Sequence, residues 1–381
     1  MKVEWKPVKA LFALQRRAVD LQPDQEYREI GVRSFGKGLF IKEPVTGSDL
    51  GSKRVFRVCS GDLIVSNVFA WEGAVGLAGP EHDGLIGSHR FMTWTTTDPS
   101  VNTRFALQFF RSKMGVSELG KASPGSAGRN RTLSIKNFEE ILVPIPSRAD
   151  QDRIAAHLDS FAEPAVRAAE ASARAEQFSE LLRQQVLDRL AERGLTPLRA
   201  VLRPTGALEE VAPEREYSTL GVRSFGRGAF ASGSTLGAET AYKKLRRFHA
   251  GQVCFPKLMA WQGALAVIPD ELDGHYASPE FVGFDVDQAL ASSEYIGHCL
   301  GWSSLVNAGA TVSTGTNANR RRLQPQDFLA LSIPLPDLKA QEAVSEMLTT
   351  AALAATSARS ATDVAAAILQ AARNEVFLSL A

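Results

Sequence analysis

The chain repeats itself at a fixed offset of 190 residues. Ile30-Gly31-Val32-Arg33-Ser34-Phe35-Gly36-Lys37-Gly38 returns as Leu220-Gly221-Val222-Arg223-Ser224-Phe225-Gly226-Arg227-Gly228. Ala70-Trp71-Glu72-Gly73-Ala74 returns as Ala260-Trp261-Gln262-Gly263-Ala264, and Val143-Pro144-Ile145-Pro146 as Ile333-Pro334-Leu335-Pro336, with no net insertion or deletion. A duplicated chain builds one fold twice. At 381 residues each copy has about 190, enough to bury its own core. Two related units on one chain also suit a partner with two related parts.

Composition is that of an ordinary globular protein, 44% hydrophobic and 22% charged. No apolar run approaches the roughly 18 residues of a membrane helix, and Met1-Lys2-Val3-Glu4-Trp5-Lys6 lacks a signal-peptide core, so a soluble cytoplasmic protein is expected. Cys59, Cys254 and Cys299 have no CxxC spacing and are expected to be buried thiols. A net charge of +1 argues against a nonspecific polyanion binder but leaves room for local basic surfaces. Lys53-Arg54, Arg129 with Arg131, Lys243-Lys244 and Arg320-Arg321 are such clusters, recurring at equivalent places.

Each copy opens with short strand-like runs bounded by turn residues, then turns helical. In the first copy the strands are expected at 55–58, 63–68 and 91–94 with a helix over 102–114; in the second, at 247–248, 253–255 and 281–284 with a helix over 292–300. The Pro-x-Pro segments favour extended exit strands. After them, a short helix over 151–158 and a second from Pro164 to about Arg193 are expected, with Phe178, Leu181, Leu182, Gln185, Val186 and Leu190 as its core-facing edge. The counterpart runs from Gln341 to Ala381, with Ala361, Ala365, Ile368, Ala372 and Phe377 on one face. The fold expected is α+β: two mixed α/β domains related by a pseudo-twofold axis and separated by two long antiparallel helices.

Gly31-x-x-x-x-Gly36-Lys37 looks like a phosphate loop, but Gly38 stands where a magnesium-binding hydroxyl is needed, and the second copy has Arg227 for the lysine. The better reading is a glycine-permitted turn presenting Arg33 or Lys37, and Arg223 or Arg227, to a polyanion, against a purely structural turn. Trp71 and Trp261 read as core residues. Beside them, Glu72 offers an acceptor suited to a cytosine amino group and Gln262 an amide suited to adenine, if they point outward; otherwise they are polar residues of a surface turn. The small-residue loops before Leu133 and Leu323 lead into arginines and suit phosphate binding, with a plain surface loop as the alternative. Catalytic signatures are missing, and none of the six histidines recurs at the 190 offset.

In this order and repetition, the Gly-Val-Arg-Ser-Phe-Gly-x-Gly and Trp-Glu/Gln-Gly-Ala segments, the small-residue loops, and Val143-Pro144-Ile145-Pro146 with Gln151-x-x-Ile154, echoed by Ile333-Pro334-Leu335-Pro336 with Gln341, resemble the specificity (S) subunits of type I restriction-modification systems. The resemblance covers essentially the whole chain. It implies target recognition domains at 1–146 and 196–336 and helical spacers at 147–195 and 337–381. Each domain would read one half of a split double-stranded DNA site. The helices would set the gap and dock two modification subunits, which restriction subunits join, and methyl donor, magnesium and ATP would belong to those partners. The chain itself would be non-catalytic, with no cofactor. Ala343 in place of Arg153 and the alanine-rich last helix depart from the pattern, chiefly at the partner interface.

The half-sites need not match, so base readers are expected where the copies differ: Asn67 against Lys257, Glu72 against Gln262, Arg129 against Asn319. The alternatives are a two-headed scaffold that binds proteins and a standalone enzyme of unrecognised type.

Overall fold

The computed structural model describes residues 2–125, 131–205, 208–315 and 321–381. It forms two compact units, one of Met1–Ala169 with Ser360–Ala381, the other of Glu170–Arg359.

The first unit is built on an antiparallel sheet in the order Phe12–Gln15, Phe91–Thr96, Leu63–Ser66, Val75–Leu77. The second repeats that order with Leu202–Thr205, Phe281–Val286, Val253–Pro256, Ala266–Val267. Pairing repeats residue for residue: Trp94 faces Leu63 and Thr93 faces Gln15 in one, Phe284 faces Val253 and Gly283 faces Thr205 in the other. Both faces of the strands Phe91–Thr96 and Phe281–Val286 are buried, and a slip by one residue would carry Trp94 or Phe284 out of its own core and off Phe138 or Phe328, so ring packing fixes the register. Trp94 packs on Phe138 in the first core, as Phe284 packs on Phe328 in the second. Away from this sheet the copies diverge, with a five-stranded sheet in the second unit where the first has two-stranded pairs.

The helix expected over 102–114 divides at Ser112 into Thr103–Arg111 and Lys113–Lys121. Ser112 is extended and fully buried, and its hydroxyl accepts from the Gly115 amide while donating to Phe109 O at 2.7 Å. The exit strands form as expected: Leu142–Ile145 pairs with Glu4–Pro7, and Ser332–Ile333 with Thr196–Pro197.

After each exit strand a glutamine closes the turn into a long helix. Gln151 accepts from the Asn102 amide at 2.9 Å and donates to Ser100 O and Pro146 O, both at 3.0 Å. Gln341 does the same with the Ser292 amide, Leu290 O and Pro336 O. Both side chains are fully buried.

Two expectations about the long helices are corrected. Instead of two helices meeting at Pro164, one runs unbroken over Arg148–Ala191 with Pro164 inside. Proline removes one helix hydrogen bond and costs ~3 kcal/mol. Ser160, whose carbonyl loses its partner, is exposed to water, while Ile154, Ala155 and Leu158 hold this part of the helix in the first core. The faces also differ. Phe178 and Leu181 are exposed, and the buried contact in the second unit is Leu187, flanked by Leu190 and Ala191. On the second long helix, Leu338–Ser379, Ala361 and Ile368 are exposed, and Ala372, Val376 and Phe377 pack on the first core. Leu187 and Phe377 are 190 apart, so the repeat extends to the helix ends. Within the second unit, Arg359 pairs with Glu176, and Val344 flanks the cluster holding Leu187, so the two helix segments run antiparallel there.

Cys254 and Cys299 are buried and burial raises both thiols, Cys299 to about 12, whereas Cys59 is only partly buried. No helix among the described residues is long and apolar enough to cross a membrane.

Candidate functional site

The repeated Gly-Val-Arg-Ser-Phe-Gly motif forms a hairpin tip. Strands Ile30–Arg33 and Gly38–Ile41 flank the tip in the first unit, and Glu216–Val222 and Ala229–Leu236 flank it in the second. Phe35 and Gly36 have φ of 60° and 67°, Phe225 and Gly226 63° and 66°, the two left-handed residues of a I′-type turn. Gly31 leaves room for the Phe40 ring, since a Cβ there would lie 2.2 Å from it; Gly221 does the same for Phe230. Arg33 lies over the Phe40 ring at 4.6 Å and Arg223 over Phe230 at 4.1 Å, so each arginine is held by an aromatic face.

The tip is clasped to the Trp-containing turn. Ala70–Glu72 and Ala260–Gln262 each make one 3-10 turn, closed by a left-handed Gly73 or Gly263. The Phe35 amide donates to Glu72 O at 2.8 Å and the Gly36 amide to Gly73 O at 3.1 Å; Phe225 and Gly226 donate to Gln262 O and Gly263 O at 2.8 and 3.0 Å. Ser34 Oγ donates to Glu72 Oε2 at 2.7 Å and Ser224 Oγ to Gln262 Oε1 at 3.3 Å. In both copies position 72 or 262 supplies an acceptor to the serine. What remains free differs: a second carboxylate oxygen in Glu72, an NH2 donor in Gln262.

Trp71 and Trp261 are half-buried rather than core residues. Arg131 lies over Trp71 at 5.5 Å and Arg321 over Trp261 at 5.6 Å. Two residues on, the Leu133 amide donates to Asn67 O, and Leu323 to Lys257 O. These bonds bring Lys37, Asn67, Glu72 and Arg131 together in the first unit, and Arg227, Lys257, Gln262 and Arg321 in the second, each set beside its Arg33 or Arg223. Arg129 and Arg320 lie outside the described residues. Arg54 is exposed on the loop after Gly47–Leu50, and Lys243 and Lys244 are exposed at a strand start, where Lys244 pairs with Glu210; among the described residues no hydrogen bond or ion pair ties these three to the clasp.

Lys53 belongs to a feature that sequence reasoning missed. It lines a groove of about 300 Å³ with Glu29, Lys42, Ser88, His89 and Arg90, and the Arg90 carbonyl accepts from the Asn67 amide. The matching positions in the second unit hold Ser232, Pro279 and Glu280 in place of Lys42, His89 and Arg90, and Glu280 pairs with Arg322 at 3.2 Å. The groove is cationic in one copy only. The reversal from Arg90 to Glu280 was the available signal.

Beneath the first tip sits Arg111. A Cβ on Gly36 would lie 3.6 Å from its Cγ, and one on Gly38 3.1 Å from an Nη. Burial, then the charge of Arg373, pulls Arg111 down to about 10, and burial pulls Arg373 to about 10. Gly301 replaces Arg111 in the second unit, and Arg183 of the long helix fills the place: a Cβ on Gly301 would lie 2.6 Å from its Nη1. Each tip thus has an arginine below it, supplied by a different element.

No family model and no curated protein matches this sequence. Among solved structures, the S subunit of a type I restriction-modification system from M. genitalium aligns over 98% of this chain and 95% of its own, with TM-score 0.58 and 12% identity. A chain from a structural study of type I R-M complex assembly and conformational transition aligns over 98% of this chain and 97% of its own, with TM-score 0.57 and 16% identity. Over its whole length, therefore, this chain has the fold of a type I restriction-modification S subunit.

Proposed function

We propose that the chain is the DNA-specificity subunit of a type I restriction-modification complex, non-catalytic itself, with each unit reading one half of a bipartite double-stranded site. The observation that carries this reading is the clasp, built twice with the same backbone bonds and the same stacked arginines but with a carboxylate at position 72 and an amide at position 262. Shared cations fit a phosphate backbone common to all DNA, and the differing groups fit base edges that need not be alike. Asn67, Glu72, Lys257 and Gln262 are the assigned base readers, and Arg33, Lys37, Arg131, Arg223, Arg227 and Arg321 the backbone contacts, with Lys53, Arg54, Lys243, Lys244, Arg129 and Arg320 extending the basic surface.

Exposed apolar residues on the long helices, Phe178, Leu181 and Leu353 in the second unit and Val364 and Ile368 in the first, suit docking of modification subunits, to which restriction subunits join. The recognition domains assigned are 1–146 and 196–336, with helical spacers at 147–195 and 337–381.

Glu72→Gln is the direct test. Gln262 shows that an amide still accepts from the serine, so the clasp survives and only the atom not bonded to the serine changes. Methylome sequencing of cells carrying the variant complex should show relaxed or altered recognition in one half-site, a discrimination of about 1–3 kcal/mol, with the other half-site intact. An unchanged motif refutes the assignment. Failure of the purified chain to bind duplex even at low salt removes the DNA reading altogether.

A further inference from the structure

Apart from the exposed cation Lys37 or Arg227, every residue of the repeated tip but one has a structural task. Gly31 admits the Phe40 ring, Arg33 covers that ring, Ser34 binds Glu72, and Gly36 takes a positive φ. The exception is Phe35, 75% exposed, and its counterpart Phe225, 71% exposed. Among the described residues these are the only non-glycine residues at positive φ. That position of a I′ turn favours Asn, Asp or Gly, and a bulky L-residue there is strained. The chain therefore holds a large apolar ring in water, on an unfavourable backbone, at the same place in both copies. Folding gains nothing from it.

The surroundings say what the ring meets. Two residues before it stands an arginine fixed on an aromatic face, and two residues after it an exposed Lys37 or Arg227. The amides of Phe35 and Gly36, and of Phe225 and Gly226, are tied to the neighbouring 3-10 turn, so the ring projects from a braced support. A rigid aromatic tip between two cations matches a base stack between two phosphates. We infer that Phe35 and Phe225 are wedges, each entering the base stack at one step of its half-site while the flanking cations hold the phosphates on either side. This rests on the DNA reading above and deepens it, because specificity would then include how readily the wedged step unstacks.

The test uses the full chain and a duplex carrying the site that methylome sequencing defines, with 2-aminopurine placed singly at each adenine. With wild-type protein, 2-aminopurine fluorescence should rise at one step per half-site. Phe35→Asn, which suits the turn, should abolish the rise in the first half-site only, Phe225→Asn in the second only, and each should weaken binding about 5- to 150-fold without changing the salt slope. Phe35→Tyr should retain both signal and affinity. Wild-type binding that Phe35→Asn and Phe225→Asn leave unaltered, with no step brightened, overturns the wedge and leaves the DNA reading standing. Absence of duplex binding by wild type overturns both.

Discussion

Replacing Gln151 by leucine keeps nearly the same volume but strips three hydrogen bonds from a fully buried position. Three backbone groups then lose their partner: the Asn102 amide and the carbonyls of Ser100 and Pro146. An orphaned buried group costs about 1–3 kcal/mol, with the lower figure for a group that water can reach. The Pro146 bond is buried and the other two partly so, which gives about 3–5 kcal/mol. Most domains have about 5–15 kcal/mol in all, so the first unit would be brought close to unfolding. The assay is urea denaturation of Gln151→Leu and Gln341→Leu with native-state hydrogen exchange, which separates the units. Gln151→Leu should deprotect the Asn102 amide and the helix it caps while leaving Ser292 protected, and Gln341→Leu should do the reverse. A loss below about 1 kcal/mol, or deprotection spread equally over both units, refutes the bracing argument.

Phe35→Asn should raise the stability of the first unit by about 1–2 kcal/mol, because asparagine tolerates the left-handed backbone; calorimetry that shows a lower Tm contradicts the strain assigned to the tip. His298, hydrogen-bonded to Thr349 Oγ1 at 3.1 Å, is held below the ordinary histidine range by burial first and by Arg183 after the opposing pull of Glu294. The folded form therefore binds a proton less readily than the unfolded chain. Its contribution is present above about pH 6.5 and is lost as pH falls through the depressed folded value. His298→Gln should flatten the acid limb of the second unit's melting profile, and an unchanged limb counts against this.

The repeat and the two inner strands of each sheet were legible from β-branched and aromatic runs at equal offsets, whereas the outer strands Phe12–Gln15 and Val75–Leu77, and their counterparts Leu202–Thr205 and Ala266–Val267, were not. Nor were the helix faces. An alanine-rich stripe is ambiguous, since small residues pack as well on one side as another, and the anchor Leu187 is set by what the second unit presents to it. Pro164 misled because local rules weigh one lost bond, whereas tertiary burial decides. Within the site, Arg33, Glu72 and Arg131 were found from repetition. Arg111 was missed because its partners come from remote segments, and the Lys42, His89 and Arg90 groove because its members are dispersed along the chain. Nothing in the letters marks Phe35 as a positive-φ residue.

The first unit closes around the last turns of the second long helix: Phe377 lies 5.3 Å from Phe105 and 5.5 Å from Phe109, and Arg373 Nε donates to Gln108 Oε1. The second unit draws only on the continuous stretch Glu170–Arg359. During synthesis at about 5–20 residues per second, the aromatic ridge at Phe105 and Phe109 therefore leaves the ribosome roughly 13–54 s before its cover does. The unit translated second can be complete while the one translated first still waits with an open core, so the nascent chain, rather than the finished protein, is where this molecule is most exposed to aggregation and to chaperones.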